Sequence, residues 1–149
     1  MPERETIERA RKDKAEGKAP STQAGEFVRE EVHHVREGKH GARSTKQAIA
    51  IGLSKARRAG VRLPPPKGGK KSTRQSAARD AAKGRSTRAR RPSARRSAAS
   101  LRRLKREGRS AASPRALARQ ARTTARKRTA AQRSTAARKA ARTRAKRSA

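Results

Sequence analysis

"GARSTKQAIAIGLSKARRAG", residues 41–60, reads as one complete amphipathic helix. Ser44 can cap its start, and Gln47 three residues on completes a capping box. At 100° per residue Ala48, Ile49, Gly52, Leu53, Ala56 and Ala59 share an arc of about 140°. Gly60 stops the helix, Val61 and Leu63 can fold back on its last turn, and Pro64–Pro66 enforce an extended exit. Lys46, Gln47, Ser54, Lys55, Arg57 and Arg58 all lie off the apolar arc, with no acid among them.

Upstream, "TQAGEFVREEVHHVRE" at residues 22–37 repeats the pattern. Phe27, Val28, Val32 and Val35 occupy one arc with Ala24, while Glu26, Glu30 and Glu37 collect on another. Ser21 or Thr22 can cap the start and Gly38 the end. The intervening "GKHGA" holds two glycines and can turn sharply. Two amphipathic helices on a short loop predict an αα-hairpin, with Gly52 letting the backbones approach. Glu31 falls inside the first apolar arc, so it is expected to pair with a base at the hairpin's edge. Residues 2–16 read as a solvated helix with Glu5/Arg9 and Glu8/Lys12 as (i, i+4) pairs. Only Ile7 and Ala10 offer it anything to bury, so fraying is favoured over docking. Nine large apolar side chains in residues 21–63 leave the hairpin marginal alone. Self-association through the hairpin, or a bound partner, would stabilise it.

Downstream the composition changes. Residues 67–149 hold 30 bases, two acids and 22 alanines. Helix signals open at Ser72 with Gln75, at Ser93 and at Ser113–Pro114, the last running almost to the end. Within it Arg115, Arg119, Arg122 and Arg126 recur at helical spacing, and such like-charge neighbours oppose a helix until anions arrive. The expected fold is therefore mostly α: a small αα-hairpin (helices about 22–37 and 45–59) with a charged N-terminal helix and a long, largely disordered basic tail of conditional helices. The expected division is a charged segment 1–20, the hairpin 21–63, a Pro/Gly linker 64–71 and an Arg/Ala-rich tail 72–149.

Charge narrows the function. The net charge is +34, and all of it lies beyond residue 37: residues 38–149 carry 37 bases against Asp80 and Glu107. A polycation of this density needs a polyanion, and nucleic acid is the commonest in a cell. With one Phe and no Trp or Tyr, base-stacking platforms for single strands are excluded, which favours double-stranded DNA or structured RNA held by its backbone. The candidate contacts are Arg43, Lys46, Gln47, Ser54, Lys55, Arg57 and Arg58 on the hairpin, and Arg115, Arg119, Arg122 and Arg126 in the tail. Arg and Lys suit phosphates, while Gln and Ser can reach base edges.

Other chemistries find little support. Without cysteine there is no disulfide framework and no thiolate metal site. Glu30 and His33 form an E-x-x-H pair, with Glu26 and Glu37 on the same face. Carboxylate-bridged metal centres need matching ligands from a facing helix, and the second helix has none, so no metal is expected. His33, His34 and His40 read as surface histidines. Gly68 and Gly69 sit in a linker rather than a phosphate-cradling loop, and no cofactor or catalytic arrangement is evident. No apolar run marks a secretory signal or membrane span, and the tail offers no apolar stripe to insert in a membrane, so a soluble cytoplasmic protein is expected.

"GEFVREEVHHVREGKHGARSTKQAIAIGLSKARRAGV" resembles the characteristic segment of a bacterial family of small, very basic proteins that carry a domain of unknown function. The resemblance covers residues 20–66, and "REGRSAASPRALARQAR" at 106–122 is similar to tails in that family. It implies a bacterial protein of the cytoplasm or nucleoid and assigns no site residue. The tail is also similar in composition to linker-histone and bacterial histone-like tails, though richer in Arg. The expected function is non-enzymatic, largely sequence-independent nucleic-acid (DNA) binding by a nucleoid-associated, histone-like protein. The alternative is a protein-docking adaptor whose basic tail tethers a partner to DNA or ribosomal RNA.

Overall fold

The computed structural model describes residues 2–86 and 93–148, the latter with side chains to residue 145. The predicted tail therefore includes residues, 87–92 and 149, that lie outside the described ones. Helices α1 (Arg4–Ala15), α2 (Pro20–Arg36), α3 (Thr45–Arg58), α4 (Lys71–Arg85), α5 (Ala94–Lys105), α6 (Pro114–Arg126) and α7 (Ala130–Ser148) are joined by turns and one 3-10 turn at Ser110–Ala112. Among the described residues there is no strand. The chain divides into two compact units, residues 1–113 and 114–149.

The hairpin predicted from the sequence is the centre of the first unit, and α2 against α3 is its most extensive contact. Ala24, Phe27, Val32 and Val35 of α2 are buried, as are Ala48, Gly52 and Ala56 of α3. Burying Phe27 and Val35 completely is worth about 1.5–3 kcal/mol each. Gly52 is the point of closest approach: a Cβ there would stand 2.7 Å from Val28 Cα and 2.9 Å from Phe27 O. The first three helices end alike, on a glycine at positive φ (Gly17, Gly38, Gly60). At α2, Lys39 N donates to His34 O and Gly38 N to Val35 O, which satisfies two orphan carbonyls and reverses the chain towards α3. At the head of α3, Ser44 Oγ accepts from Gln47 N at 3.2 Å, while Gln47 Oε1 reaches the amide of Arg43 rather than that of Ser44. The start of α2 differs from expectation: Pro20 occupies its first turn and Ala19 precedes it, with no side-chain cap. Proline there has no N–H to leave unpaired, and its fixed φ suits the first turn.

Helix α1 docks rather than frays. Ile7 and Ala10 join the cluster around Ala24, Phe27 and Ala56, and Thr6 is fully buried. Polar anchors complete what two apolar residues do not: Arg9 Nε lies 2.8 Å from Glu26 Oε2, and the Glu3 amide donates to Glu30 Oε2. Chain from the predicted tail also returns to the hairpin. Helix α4 packs on α3 through buried Ala77, and the close approach of Gly84 to Arg57 O leaves no room for a Cβ. Gly41 N donates to Leu104 O, Ala42 N to Gly108 O, Thr45 Oγ1 to Ala111 O and Arg36 Nε to Ala112 O. Ala111 and Ala112 are buried by this return. The apolar surface that the hairpin lacks by itself is supplied from within the chain.

The second unit is a different kind of structure. Helices α6 and α7 are separated at residues 127–129, where the sequence suggested one continuous helix. Thr129 makes the break: its Oγ1 accepts from Gln132 N while Gln132 Oε1 accepts from Thr129 N, a reciprocal capping box that starts α7. No described residue of α6 or α7 is buried.

Candidate nucleic-acid interface

The sequence offered seven hairpin residues as contacts, six of them on one face of the second helix with Arg43 just before it, but the fold separates them. Arg43 and Lys46, at the head of α3, are exposed and take part in no ion pair among the described residues. Gln47 is spent on the cap described above. Ser54 Oγ donates to Asp80 Oδ2 at 2.6 Å, and Arg58 Nε lies 3.0 Å from Asp80 Oδ1, so the one acid of α4 ties down two of the seven. Arg57, only 7 % exposed, turns inward and donates to the carbonyls of Leu53, Leu63 and Pro64, clamping the chain as it leaves α3.

Lys55 also points into the protein. Its Nζ lies 2.7 Å from Glu31 Oε2 and 3.0 Å from Glu30 Oε1. Burial alone would pull its pKa down, but the two carboxylates outweigh burial and raise it. The base expected for Glu31 is therefore Lys55, and the pair lies inside the hairpin rather than at its edge. Sequence reading missed these roles because α4 covers the back of α3 and the Glu30–Glu31 step of α2 faces it. The sole advance signal was Glu31 itself, an acid in an apolar arc.

On the α1–α2 side, acids and bases alternate. Glu3 Oε1 accepts from Lys39 Nζ at 3.1 Å and lies 2.8 Å from His34 Nε2. The hydrogen bond with His34, then that with Lys39, lower its pKa from 4.5 to about 2. For Glu30, burial pushes the pKa up, but Lys55 and the Glu3 amide prevail and hold it below its ordinary value. A hollow of about 190 Å³ nearby is lined by Glu3, Arg29, Glu30, His34, Glu37 and Lys39, too mixed in sign to draw a polyanion. Among the described residues the one convergence of metal-type ligands is Glu31, His34 and His40, not Glu30 and His33.

In the second unit Arg115, Arg119, Arg122 and Arg126 are exposed on α6. Their steps of four, three and four residues keep them on one stripe about 16 Å long. Residues 114–149 hold 13 bases and no acid, so no carboxylate of their own neutralises that stripe.

Residues 14–68 match the model of a family of unknown function, DUF6496, a span that takes in all of α2 and α3 and their connecting loop. No curated protein and no solved structure matches the chain. Among the described residues no helix is long and apolar enough to cross a membrane.

Proposed function

We propose that the chain is a non-enzymatic, nucleoid-associated, histone-like protein that binds nucleic acid through its phosphates, with little regard to sequence. Double-stranded DNA is the favoured partner and structured RNA the second. The observation that carries this reading is the acid-free second unit, whose exposed Arg115, Arg119, Arg122 and Arg126 have no carboxylate in residues 114–149 to engage them. Duplex DNA presents one charge per about 1.7 Å of axis, so an arginine stripe about 16 Å long meets phosphates wherever it lands. Arg43 and Lys46 add a second, smaller point of contact on the first unit.

Binding of the full chain to a short duplex at increasing salt tests the reading. If about ten phosphates are neutralised, log K falls against log salt with a slope near −9. A slope shallower than about −3 removes the phosphate mechanism. The adaptor reading draws support from the division into two units, one able to dock and the other to tether. A partner that stays bound to residues 1–113 after nuclease treatment would favour it.

A further inference from the structure

Glu31 is completely buried, and its Oε1 accepts no hydrogen bond. Leaving a charged acceptor in that state is costly, so the groups around it must neutralise it by charge. Lys55 Nζ meets Oε2 at 2.7 Å and supplies the charge on that side. On the other side Oε1 lies 3.3 Å from His40 Nε2. The other nitrogen of that ring, Nδ1, is 3.0 Å from the Gly41 carbonyl, which only accepts, so Nδ1 carries the proton. In the neutral ring Nε2 is then a bare acceptor facing a bare carboxylate oxygen. Two acceptors held in that way are relieved by a cation between them, either the second proton of a charged imidazole or a metal ion.

His34 completes the group. Its ring meets that of His40 edge-on at 6.1 Å, and the ligand atoms of Glu31, His34 and His40 all lie within 4.8 Å of one another. Two ligands bound to one tetrahedral ion at about 2.0–2.1 Å are about 3.3–3.4 Å apart, the separation found between Glu31 Oε1 and His40 Nε2. The outer contacts have the form that metal-binding histidines use. His34 Nε2 faces the Glu3 carboxylate at 2.8 Å, and His40 Nδ1 faces a backbone carbonyl, which fixes both rings. The side chains of His34 and His40 are 12 % and 11 % exposed, dry enough to hold an ion and open enough to admit one.

We propose that Glu31, His34 and His40 form a divalent-metal site of the zinc class, with a fourth position left to water. Two imidazoles and one carboxylate suit zinc better than magnesium or calcium, which prefer oxygen ligands alone. The ion ties the last turns of α2 to the loop leading into α3, beside the point where Gly41 meets Leu104. Lys55 is the counter-ion that holds Glu31 when metal is absent, so it competes with the metal for the same carboxylate. The proposal is independent of the nucleic-acid reading.

The test is calorimetric titration of zinc sulfate into the full-length, untagged chain, stripped of metal and nucleic acid. One ion per chain is expected, with a rise in the thermal-unfolding midpoint. Glu31→Gln and His40→Gln should each weaken binding at least 100-fold, whereas His33→Gln, at an exposed position, should leave it unchanged. Glu3→Gln, which weakens the hold on His34 and removes the ion pair with Lys39, should weaken it about 10–100-fold. Lys55→Met should lower the metal-free midpoint and recover on adding zinc. Cobalt in place of zinc should give the strong visible absorption of a tetrahedral site, absent in His40→Gln. If Glu31→Gln fails to fold, His40→Gln and His33→Gln still decide. No uptake by the parent chain, or equal uptake by those two variants, overturns the proposal.

Discussion

Helices α2 and α7 are 17 and 19 residues long, and they are helices for opposite reasons. α2 buries Gln23, Ala24, Phe27, Glu30, Glu31, Val32 and Val35 and is fixed by what it packs against. No described residue of α7 is buried; it relies on alanine's preference for the helix and works against the repulsion of its own cations. The acids follow the same division. All 11 lie in residues 1–113, where many serve as internal anchors, and none lies in residues 114–149. In the first unit, part of the positive charge is consumed in building the fold, with Arg9, Lys55 and Arg58 each held on an acid. In the second it is left for something outside the chain.

The strongest way to break this comparison is at Lys55. Lys55→Met strands Glu31 in the interior and takes from Glu30 its charged partner, so the first unit should lose about 3–5 kcal/mol in metal-free denaturant melts. Helicity of α6 and α7 should not change. Were the melt unaltered, Lys55 would not be a structural cation of the first unit.

Next in size is removal of the second unit. A chain ending at residue 113 loses 13 bases and no acid. Its affinity for duplex DNA should fall at least about 100-fold, or about 2.7 kcal/mol, with a shallower salt slope. Its unfolding midpoint should stay within about 2 °C of the parent, since the α2–α3 core is untouched. Equal DNA affinity would move the interface to the first unit, with Arg43 and Lys46 as the first residues to test.

Gly52→Ala sharpens the contrast within the packed region. The added methyl meets backbone at 2.7 Å, which α2 must move to relieve, at about 1–3 kcal/mol in thermal or denaturant unfolding. Alanine introduced on exposed α7, for example Ser134→Ala, should instead be neutral or slightly stabilising.

Acid should separate the units most gently. Glu3 titrates at about 2 in the fold against 4.5 ordinarily, and Glu30 is lowered too. A carboxyl with a lowered folded pKa stabilises fully above its unfolded value and loses that contribution as pH falls through the folded one. The first unit should therefore weaken progressively from about pH 4.5 towards 2. Helicity of a peptide spanning 114–149, which has no acidic side chain, should stay flat across that range in circular dichroism. A parallel loss in both would mean that the carboxylate anchors are not what distinguishes them.

Much of the architecture was legible because it is local. The Ser44 cap of α3, the glycine stops of α2 and α3, the apolar arcs, Gly52 as the close approach and the spacing of Arg115, Arg119, Arg122 and Arg126 all follow from helix geometry. The change of composition after residue 66 also marked where polycation begins, although not where the folded unit ends. Ala77, Ala111 and Ala112 explain that difference: alanine gives no sign in the sequence of whether it will be buried.

The sequence by itself determined two amphipathic helices on a short loop, their ends, and a surplus of positive charge placed almost wholly after residue 37. Tertiary structure decided which of those charges are free. Ser54 meets Asp80, Thr45 meets Ala111 and Arg36 meets Ala112 across 26, 66 and 76 residues. A helical wheel reports only which residues of one helix share a side. It cannot tell that α4 covers the back of α3, that Lys55 turns inward to two acids, or that His40 swings past Gly38 to stand beside Glu31 and His34. Those placements depend on which distant segments bury each other's surface, and only the folded chain settles that.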